Sequence, residues 1–169
     1  MKEISNTPKR YVELDSPIGG IRIEGSAEMV TRLRLPGENS AEFEGIPLLG
    51  ANENFPALRD AEDWLTRYFA GEQVSWVGRP IPPVSKFTAK VYRALLEVPA
   101  GATVSYGQLA AMAGSPNASR AVGRAMATNR LAILIPCHRV LGSDGSLHGY
   151  GGGLPMKKAL LVHEGVVVK

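Results

Sequence analysis

The only cysteine of this 169-residue chain, Cys137, stands where a reactive thiol is expected. The apolar run 131–135 comes shortly before it, and His138 and Arg139 follow it directly. A thiol attacks as its thiolate, and a neighbouring imidazole or guanidinium raises the thiolate fraction. A cysteine that only fills space in the core needs no such neighbours. The pattern therefore favours nucleophilic chemistry at Cys137, with an inert buried thiol as the alternative.

His138 and Glu164 are the candidates for activating that thiol. His138 is a candidate base, with a surface histidine as the alternative. Adjacent residues of a regular strand point to opposite faces, so His138 reaches Cys137 only through a bend or a bridging water. Glu164 closes a predicted helix, where the helix dipole disfavours a carboxylate by roughly 0.3–1 kcal/mol. A neighbouring imidazole would stabilise the Glu164 carboxylate at this helix end. The alternative is that Glu164 is exposed and tolerates the unfavourable helix dipole. One cysteine and three histidines without ligand spacing predict no metal site.

A glycine-rich loop over residues 149–154 leads into the last predicted helix. Helix N-termini bind anions, but this loop lacks the Gly-Lys-Ser/Thr ending of a nucleotide P-loop and the spacing of the dinucleotide fingerprint. The glycines instead predict a close approach of backbone to a flat ligand, with Tyr150 available for stacking. Tyr106 is a second aromatic candidate, for which ordinary core packing is the alternative.

The elements that must position these residues change character along the chain. Strand-like alternation over residues 11–14, 21–24 and 30–35 predicts an antiparallel sheet. Helical spacing predicts a helix over 58–68 that stops at Gly71. The proline-containing segment 78–83 predicts a linker. Further helices are predicted over residues 87–98 and 154–164.

Two short helices are predicted between these longer ones. Residues 105–108 form a capping box, and Gly114 ends the helix that this box begins. Ser115, followed by proline, is expected to cap the next helix, which carries Arg120 and Arg124 one turn apart. Two short helices joined by a glycine turn indicate a helix-turn-helix, although many helical hairpins bind nothing.

Charge divides the chain in the same place. Residues 1–85 hold 9 basic and 13 acidic side chains, whereas residues 86–169 hold 10 and 3. This asymmetry favours a polyanion as the partner of the second half, with an electrostatic match between the two halves as the alternative. We predict an N-terminal domain over 1–80 and a C-terminal domain over 86–169, joined by 81–85.

Composition excludes several classes of protein. With 44% hydrophobic and 21% charged residues the chain is globular rather than disordered. Its apolar runs are at most five residues long, which is too short for a membrane-spanning helix. The start shows no secretory signal, and a lone cysteine forms no internal disulfide, so a cytoplasmic location with a reduced thiol is expected.

Two strings together resemble the O6-alkylguanine-DNA alkyltransferase family, namely Pro136-Cys137-His138-Arg139-Val140 and Gly149-Tyr150-Gly151-Gly152-Gly153. The resemblance covers residues 86–165 and includes the segments 104–110, 120–123 and 163–165 together with Asn129. Residues 15–19 resemble the opening strand of the family, whereas residues 36–80 carry no motif. The resemblance implies an α/β (α+β) fold. Its parts would be an N-terminal ribonuclease H-like domain with an antiparallel sheet and a helical C-terminal domain with a helix-turn-helix.

The resemblance implies DNA repair by one irreversible transfer of an alkyl group from guanine O6 in duplex DNA to Cys137. O4-alkylthymine is a further candidate substrate. His138 would act as the base through a water, and Glu164 would orient His138, so that this relay keeps Cys137 ionised. Asn129 would brace the cysteine segment, with a helix C-cap as its alternative. No cofactor is implied, and we expect a monomer, with cooperative assembly on DNA left open.

The resemblance also assigns binding residues. The implied substrate-binding residues are Tyr106, Val140, Tyr150 and Gly151. The implied DNA-binding residues are Arg120, Ala121, Gly123 and Arg124. The target base must leave the stack, Arg120 would fill the gap, and the small residues would let the helix enter the minor groove. The chain departs from the family pattern at Gly107, at His148, where a small residue is expected, and at Gly151, where some relatives have serine.

Two other functions compete with repair. Relatives that sense alkylguanine without repairing it replace the cysteine, and Cys137 is present here. A cysteine hydrolase would use Cys137, His138 and Glu164, but it would leave the helix-turn-helix and the basic half unexplained.

Overall fold

The computed structural model describes residues 8–38, 45–50 and 53–168. Its N-terminal half contains a four-stranded sheet in the order β3-β2-β1-β4. The strands are β1 (Arg10–Ser16), β2 (Gly19–Gly25), β3 (Val30–Arg34) and β4 (Ile46–Pro47). The first three pair antiparallel, as predicted, whereas the two-residue β4 pairs parallel with β1 and was not predicted.

One helix covers the apolar face of this sheet. Helix α1 (Pro56–Phe69) buries the stripe Leu58, Ala61, Leu65 and Tyr68, together with Trp64. It packs against β1, β2 and β3, and Gly71 follows it at a φ of 85°. The predicted helix is therefore confirmed, and its apolar spacing is the reason that it lies on the sheet.

The C-terminal half is mainly helical. Residues 70–85 form no helix or strand, which agrees with the predicted linker, while the domain boundaries themselves stay a prediction. The elements that follow are α2 (Lys86–Leu96), β5 (Val104–Ser105), α3 (Tyr106–Met112), α4 (Ser119–Ala127), the 3-10 turn Cys137–Arg139, β6 (Val140–Leu141) and α5 (Leu154–His163). Strands β5 and β6 pair parallel.

The predicted N-terminal cap of α3 is confirmed, whereas α4 begins at a different residue from the one predicted. Ser105 and Gln108 form the predicted capping box of α3. The expectation that Ser115 caps α4 is wrong, because α4 begins at Ser119 after Ala118. The backbone N–H of Ser115 donates to the Ala110 carbonyl and so closes α3, while the Ser115 carbonyl accepts from Ala118 in a turn. These bonds use Ser115 to end one helix rather than to begin the next.

The two halves contact each other at β3 and at the end of α1. The backbone N–H of Leu33 donates to the Arg130 carbonyl over 2.7 Å, which joins the sheet to the segment after α4. Within the described ranges, no helix is long and apolar enough to cross a membrane. The likeness of the sheet to ribonuclease H is not tested by these observations and stays a prediction.

Candidate active site and nucleic-acid interface

Cys137 lies on a tight turn rather than on a strand. Residues 137–139 form one turn of 3-10 helix, so the chain is bent here and the opposite-face geometry of a regular strand does not apply. The buried run before it bends sharply, and Ile133 adopts a φ of 74°, which is rare for a β-branched residue. Such strain persists only where the surrounding structure imposes it. The bend places Cys137, which is 7% exposed, at the wall of a cavity.

Asn129 holds the two ends of that bend. Its side-chain amide donates to the Ile135 carbonyl over 2.8 Å, and its side-chain oxygen accepts from the Leu131 backbone N–H over 2.9 Å. The C-cap of α4 is Thr128, so the alternative interpretation of Asn129 as that cap does not hold. The structure therefore places Asn129 where a brace of the cysteine segment is needed.

Behind the cysteine, a buried carboxylate collects several donors. His138 Nε2 lies 2.7 Å from Glu164 Oε1, and Arg139 donates to the same oxygen over 2.8 Å and to Oε2 over 2.9 Å. Glu164 follows α5 at its C-cap, as the sequence predicts, and these donors offset the unfavourable end of the helix dipole. Because Glu164 is ionised, Nε2 carries the proton and Nδ1 presents its lone pair.

The environment sets the charges of these groups. Burial alone would raise the pKa of Glu164, but hydrogen bonds from His138 and Arg139 hold that pKa well below its usual range. Burial lowers the pKa of His138 despite the attraction of Glu164. Burial also raises the pKa of the Cys137 thiol, and a hydrogen bond from Asn129 offsets part of this effect. The free protein thus favours a neutral thiol and a neutral imidazole, which differs from the expectation that the relay keeps Cys137 ionised.

Two charged side chains at this site make contacts that the sequence did not predict. Arg139 bonds both Glu164 oxygens and the Val98 carbonyl. Lys157 is fully buried and donates to the carbonyls of Val140 and His148 over 2.7 and 3.0 Å, which fixes both ends of the loop between them. The helical spacing of Lys157 with Leu160, Leu161 and Glu164 is the signal that would have placed it on the buried face.

A cavity of 660 Å³ opens beside Cys137. Its walls come from α3, α4 and the glycine-rich loop, and the lining residues include Tyr106, Arg120, Gly123, Cys137, His148, Tyr150 and Gly151. The hydroxyl of Tyr150 is buried and meets no hydrogen-bond partner among the described residues. The ring of His148 packs edge-on against Tyr106 at 6.3 Å between centroids, so this unexpected residue narrows the cavity.

The other predicted binding residues lie outside the cavity wall. Val140 is fully buried in β6 and is not among the lining residues. Ala121 and Arg124 lie on α4 beside the lining residues, and Arg124 is exposed. No set of three histidine, cysteine, aspartate or glutamate side chains that could hold a metal comes together in the part of the chain that the structure describes.

The fold and the site thus define a protein whose buried cysteine opens on a cavity beside a pair of helices with exposed cations. The family model for the DNA binding domain of 6-O-methylguanine DNA methyltransferase matches residues 86–166. A methylated-DNA–protein-cysteine methyltransferase of Mycolicibacterium paratuberculosis is 41% identical over 91% of each chain. The protein of that name from Mus musculus is 43% identical over 93% of this chain and 82% of its own.

Solved structures agree with these relatives. The O6-methylguanine methyltransferase of Mycobacterium tuberculosis matches with a TM-score of 0.77 at 39% identity, over 92% of each chain. The OGT of the same organism in complex with DNA matches with a TM-score of 0.77 at 40% identity, over 92% of each chain. The chain belongs to the methylated-DNA–protein-cysteine methyltransferase family, which confirms the resemblance seen in the sequence.

Proposed function

We propose that this protein repairs duplex DNA by moving an alkyl group from guanine O6 to Sγ of Cys137, once per molecule. The observation that carries the proposal is the position of the lone cysteine. It lies in the wall of a cavity bordered by α4 on one side and backed by a buried His138–Glu164 pair on the other. Membership of the family supports the same reaction.

The reaction balances with this chain's own groups. Sγ attacks the alkyl carbon, the carbon–O6 bond breaks, and the O6 atom leaves with the bonding electrons. The thiol proton passes through a water to Nδ1 of His138, whose Nε2–H is held by Glu164. A proton then returns to the base, which leaves as guanine, while Cys137 keeps the alkyl group as a thioether. The neutral resting pair suits this sequence, because proton transfer accompanies attack rather than preceding it.

Entry of the base into the cavity requires base flipping. A base stacked in a duplex is out of reach of Cys137, so it must rotate out at a cost of a few kcal/mol. Arg120 lines the cavity and is exposed, which suits a side chain that fills the gap. Gly123 and Ala121 let the helix backbone approach the groove closely. Tyr106 and Tyr150 supply hydroxyl groups and ring faces to the flipped base.

The partner is therefore duplex DNA that contains an alkylated guanine, bound by a monomer. The exposed cations of α4 supply affinity without reading sequence, as phosphate contacts do. The reaction consumes a reduced thiol, which suits a protein of the reducing cytoplasm.

The mass of the intact protein after exposure to methylated duplex DNA tests the proposal. We expect a permanent gain of one methyl group on the wild-type protein and none on Cys137→Ser. The serine variant should still bind DNA, because phosphate contacts supply most of the affinity. An unmodified wild-type protein, or a methylated serine variant, would refute the assignment. Release of unmodified protein after reaction with an ester would instead indicate a hydrolase.

A further inference from the structure

The N-terminal half reaches into the active-site relay through one side chain. Tyr68, on the last turn of α1, donates its hydroxyl to Glu164 Oε1 over 2.8 Å, although the two residues stand 96 positions apart in the sequence. Tyr68 is only 3% exposed. The backbone carbonyl of Tyr68 also accepts from His163 Nε2 over 2.9 Å, so the ends of α1 and α5 are joined twice.

The direction of the hydroxyl bond follows from the charges. Burial and the nearby Glu164 carboxylate raise the pKa of Tyr68, so its hydroxyl keeps its proton and donates. Oε1 of Glu164 therefore accepts three hydrogen bonds, from His138, Arg139 and Tyr68. The first two donors come from the turn that carries Cys137, and the third comes from the other half of the molecule.

Packing holds the tyrosine ring in place without help from its hydroxyl. The ring stacks on Trp64 with 5.3 Å between centroids and 7° between planes, and it also contacts Phe69 and His163. A phenylalanine would keep these contacts and would place no polar atom in the core. A buried hydroxyl costs free energy unless it is bonded, so the bond to Glu164 is the specific contribution of tyrosine here.

We infer that Tyr68 is a positioning residue of the relay, and that the N-terminal half thereby completes the active site. The inference rests on the proposed alkyl transfer. Tyr68 fixes the carboxylate oxygen that faces Nε2 of His138, and it stabilises the anionic form of that carboxylate. The other charged and titratable groups that act on this pair are Arg139 and Lys157, and Tyr150 lies close enough to Glu164 for its own pKa to be raised by that carboxylate.

The direction in which Tyr68→Phe shifts the pH dependence of the rate follows from the loss of one hydrogen-bond donor to Glu164. Without the tyrosine hydroxyl, the Glu164 carboxylate loses one of the hydrogen bonds that stabilise its negative charge. The His138–Glu164 pair therefore takes up a proton more readily. His138 is then protonated at higher pH, and a protonated ring does not accept the thiol proton. The acid limb of the rate profile should therefore move to higher pH by about one unit, as expected for one hydrogen bond to a charged group.

The experiment compares Tyr68→Phe with wild type and with His163→Ala. His163→Ala removes the other hydrogen bond between α1 and α5 and one ring contact of Tyr68, but leaves all three donors to Oε1 in place. For Tyr68→Phe we expect the single-turnover rate on the acid limb to fall about tenfold at fixed pH, which is what a one-unit shift of that limb produces. The loss is smaller than that for loss of acid–base assistance altogether, because Arg139 still holds the carboxylate. The ring signals of His138 in an NMR titration should move to higher pH. His163→Ala should show neither change.

The outcomes separate this inference from the proposed function. A Tyr68→Phe protein with a lower Tm but with wild-type rate and wild-type His138 titration would overturn the inference and leave a purely structural tyrosine. Equal effects of His163→Ala would also overturn it, since loosening of the interface would then suffice. If the wild-type protein transfers no alkyl group, the proposed function fails, while the His138 titration still decides whether Tyr68 acts on the pair.

Discussion

The two halves of the molecule treat their charges in opposite ways. In the N-terminal half every described arginine forms an ion pair within that half, namely Arg10, Arg22, Arg32, Arg34, Arg59, Arg67 and Arg79. In the C-terminal half the ion pairs of the described residues are both made by Glu164. Seven cations there are exposed and form no ion pair with a described residue: Lys86, Lys90, Arg93, Arg120, Arg124, Arg130 and Lys158.

This difference decides between the two interpretations of the charge asymmetry. If the halves matched each other electrostatically, ion pairs would join them, and no ion pair among the described residues does so. The acidic half instead satisfies its own arginines, while the basic half keeps its surface cations available to an external polyanion. The ion pairs of Glu164 in the C-terminal half are buried, where the dielectric constant is low and each electrostatic interaction is stronger than at the surface.

The largest expected effect comes from the buried network. Glu164→Gln keeps the shape of the side chain but removes the charge that favours an imidazolium at His138. We expect the single-turnover rate to fall by roughly 10²–10⁴, the range typical of losing acid–base assistance. Because burial raises the pKa of Cys137 above its ordinary value of 9.0, the thiol ionises unaided only in alkaline solution, where part of the rate should return.

Rates measured across pH for both proteins check this prediction. Glu97→Gln is the matched control, since Glu97 is an exposed glutamate of the same half, and it should leave the profile unchanged. Superimposable profiles for Glu164→Gln and wild type would show that the carboxylate has no part in activation. The buried charge network of the C-terminal half would then have a structural role and no role in the reaction.

The exposed cations should show a smaller effect, which differs between two neighbours on α4. Arg124 is exposed and lies outside the cavity wall, so Arg124→Ala should weaken DNA binding on all sequences. It should also reduce the slope of log affinity against log salt by about 0.9, the value for one phosphate contact. Arg120 lines the cavity, so Arg120→Ala should slow repair in duplex DNA more than reaction with the free base.

The N-terminal half supplies the control for this pair. Arg67 is also exposed and lies on a helix, but it is paired with Glu72 and Asp63, so Arg67→Ala should not change the salt slope. Binding titrations at several salt concentrations check these slopes. An equal slope for Arg124→Ala and wild type would remove α4 from the DNA interface, and equal rate losses of Arg120→Ala on both substrates would count against the gap-filling role.

The parts of this structure that sequence predicted are those governed by local rules. Helical spacing placed α1 and α5, and the capping box placed the start of α3, because each depends on residues within one or two turns. The lone thiol, its neighbours and a carboxylate at an unfavourable helix end marked Cys137, His138 and Glu164 as candidates, and the resemblance to the family assigned them to one relay.

Contacts between distant residues were beyond this reasoning. The bond from Tyr68 to Glu164 depends on how two halves pack, and nothing near Tyr68 in the sequence distinguishes it from a core aromatic. A bend was one of two ways considered for His138 to reach Cys137, but an apolar run gives no sign of where the chain turns or of the positive φ at Ile133. The predicted start of α4 was wrong for a third reason. Ser115 fits the sequence rule for a helix N-cap, but its backbone N–H closes α3 instead.

The smallest expected effect is on the stability of the protein, and it concerns two neighbouring glycines where the two halves meet. A Cβ on Gly152 would lie 2.6 Å from Met156 Sδ and 2.9 Å from Leu35 Cδ1, the latter from the N-terminal half. A Cβ on Gly151 would have no heavy atom within 4 Å. Gly152→Ala should therefore lower the free energy of unfolding by about 1–3 kcal/mol, as overpacking does, whereas Gly151→Ser should change it by less than about 0.5 kcal/mol.

Denaturant unfolding of the two variants checks this pair, and each is the control of the other. Leu35 and Met156 are both side-chain ends, so their movement limits the cost of Gly152→Ala, but that movement would open the contact between the halves. The serine at position 151 matches the residue of some relatives and adds a hydroxyl to the cavity wall beside Cys137. Equal stabilities of the two variants would show that the ends of Leu35 and Met156 move aside at no cost, and would contradict the prediction of tight packing at Gly152. Unequal stabilities in the predicted order would locate the contact at Gly152 and leave Gly151 free to face the substrate.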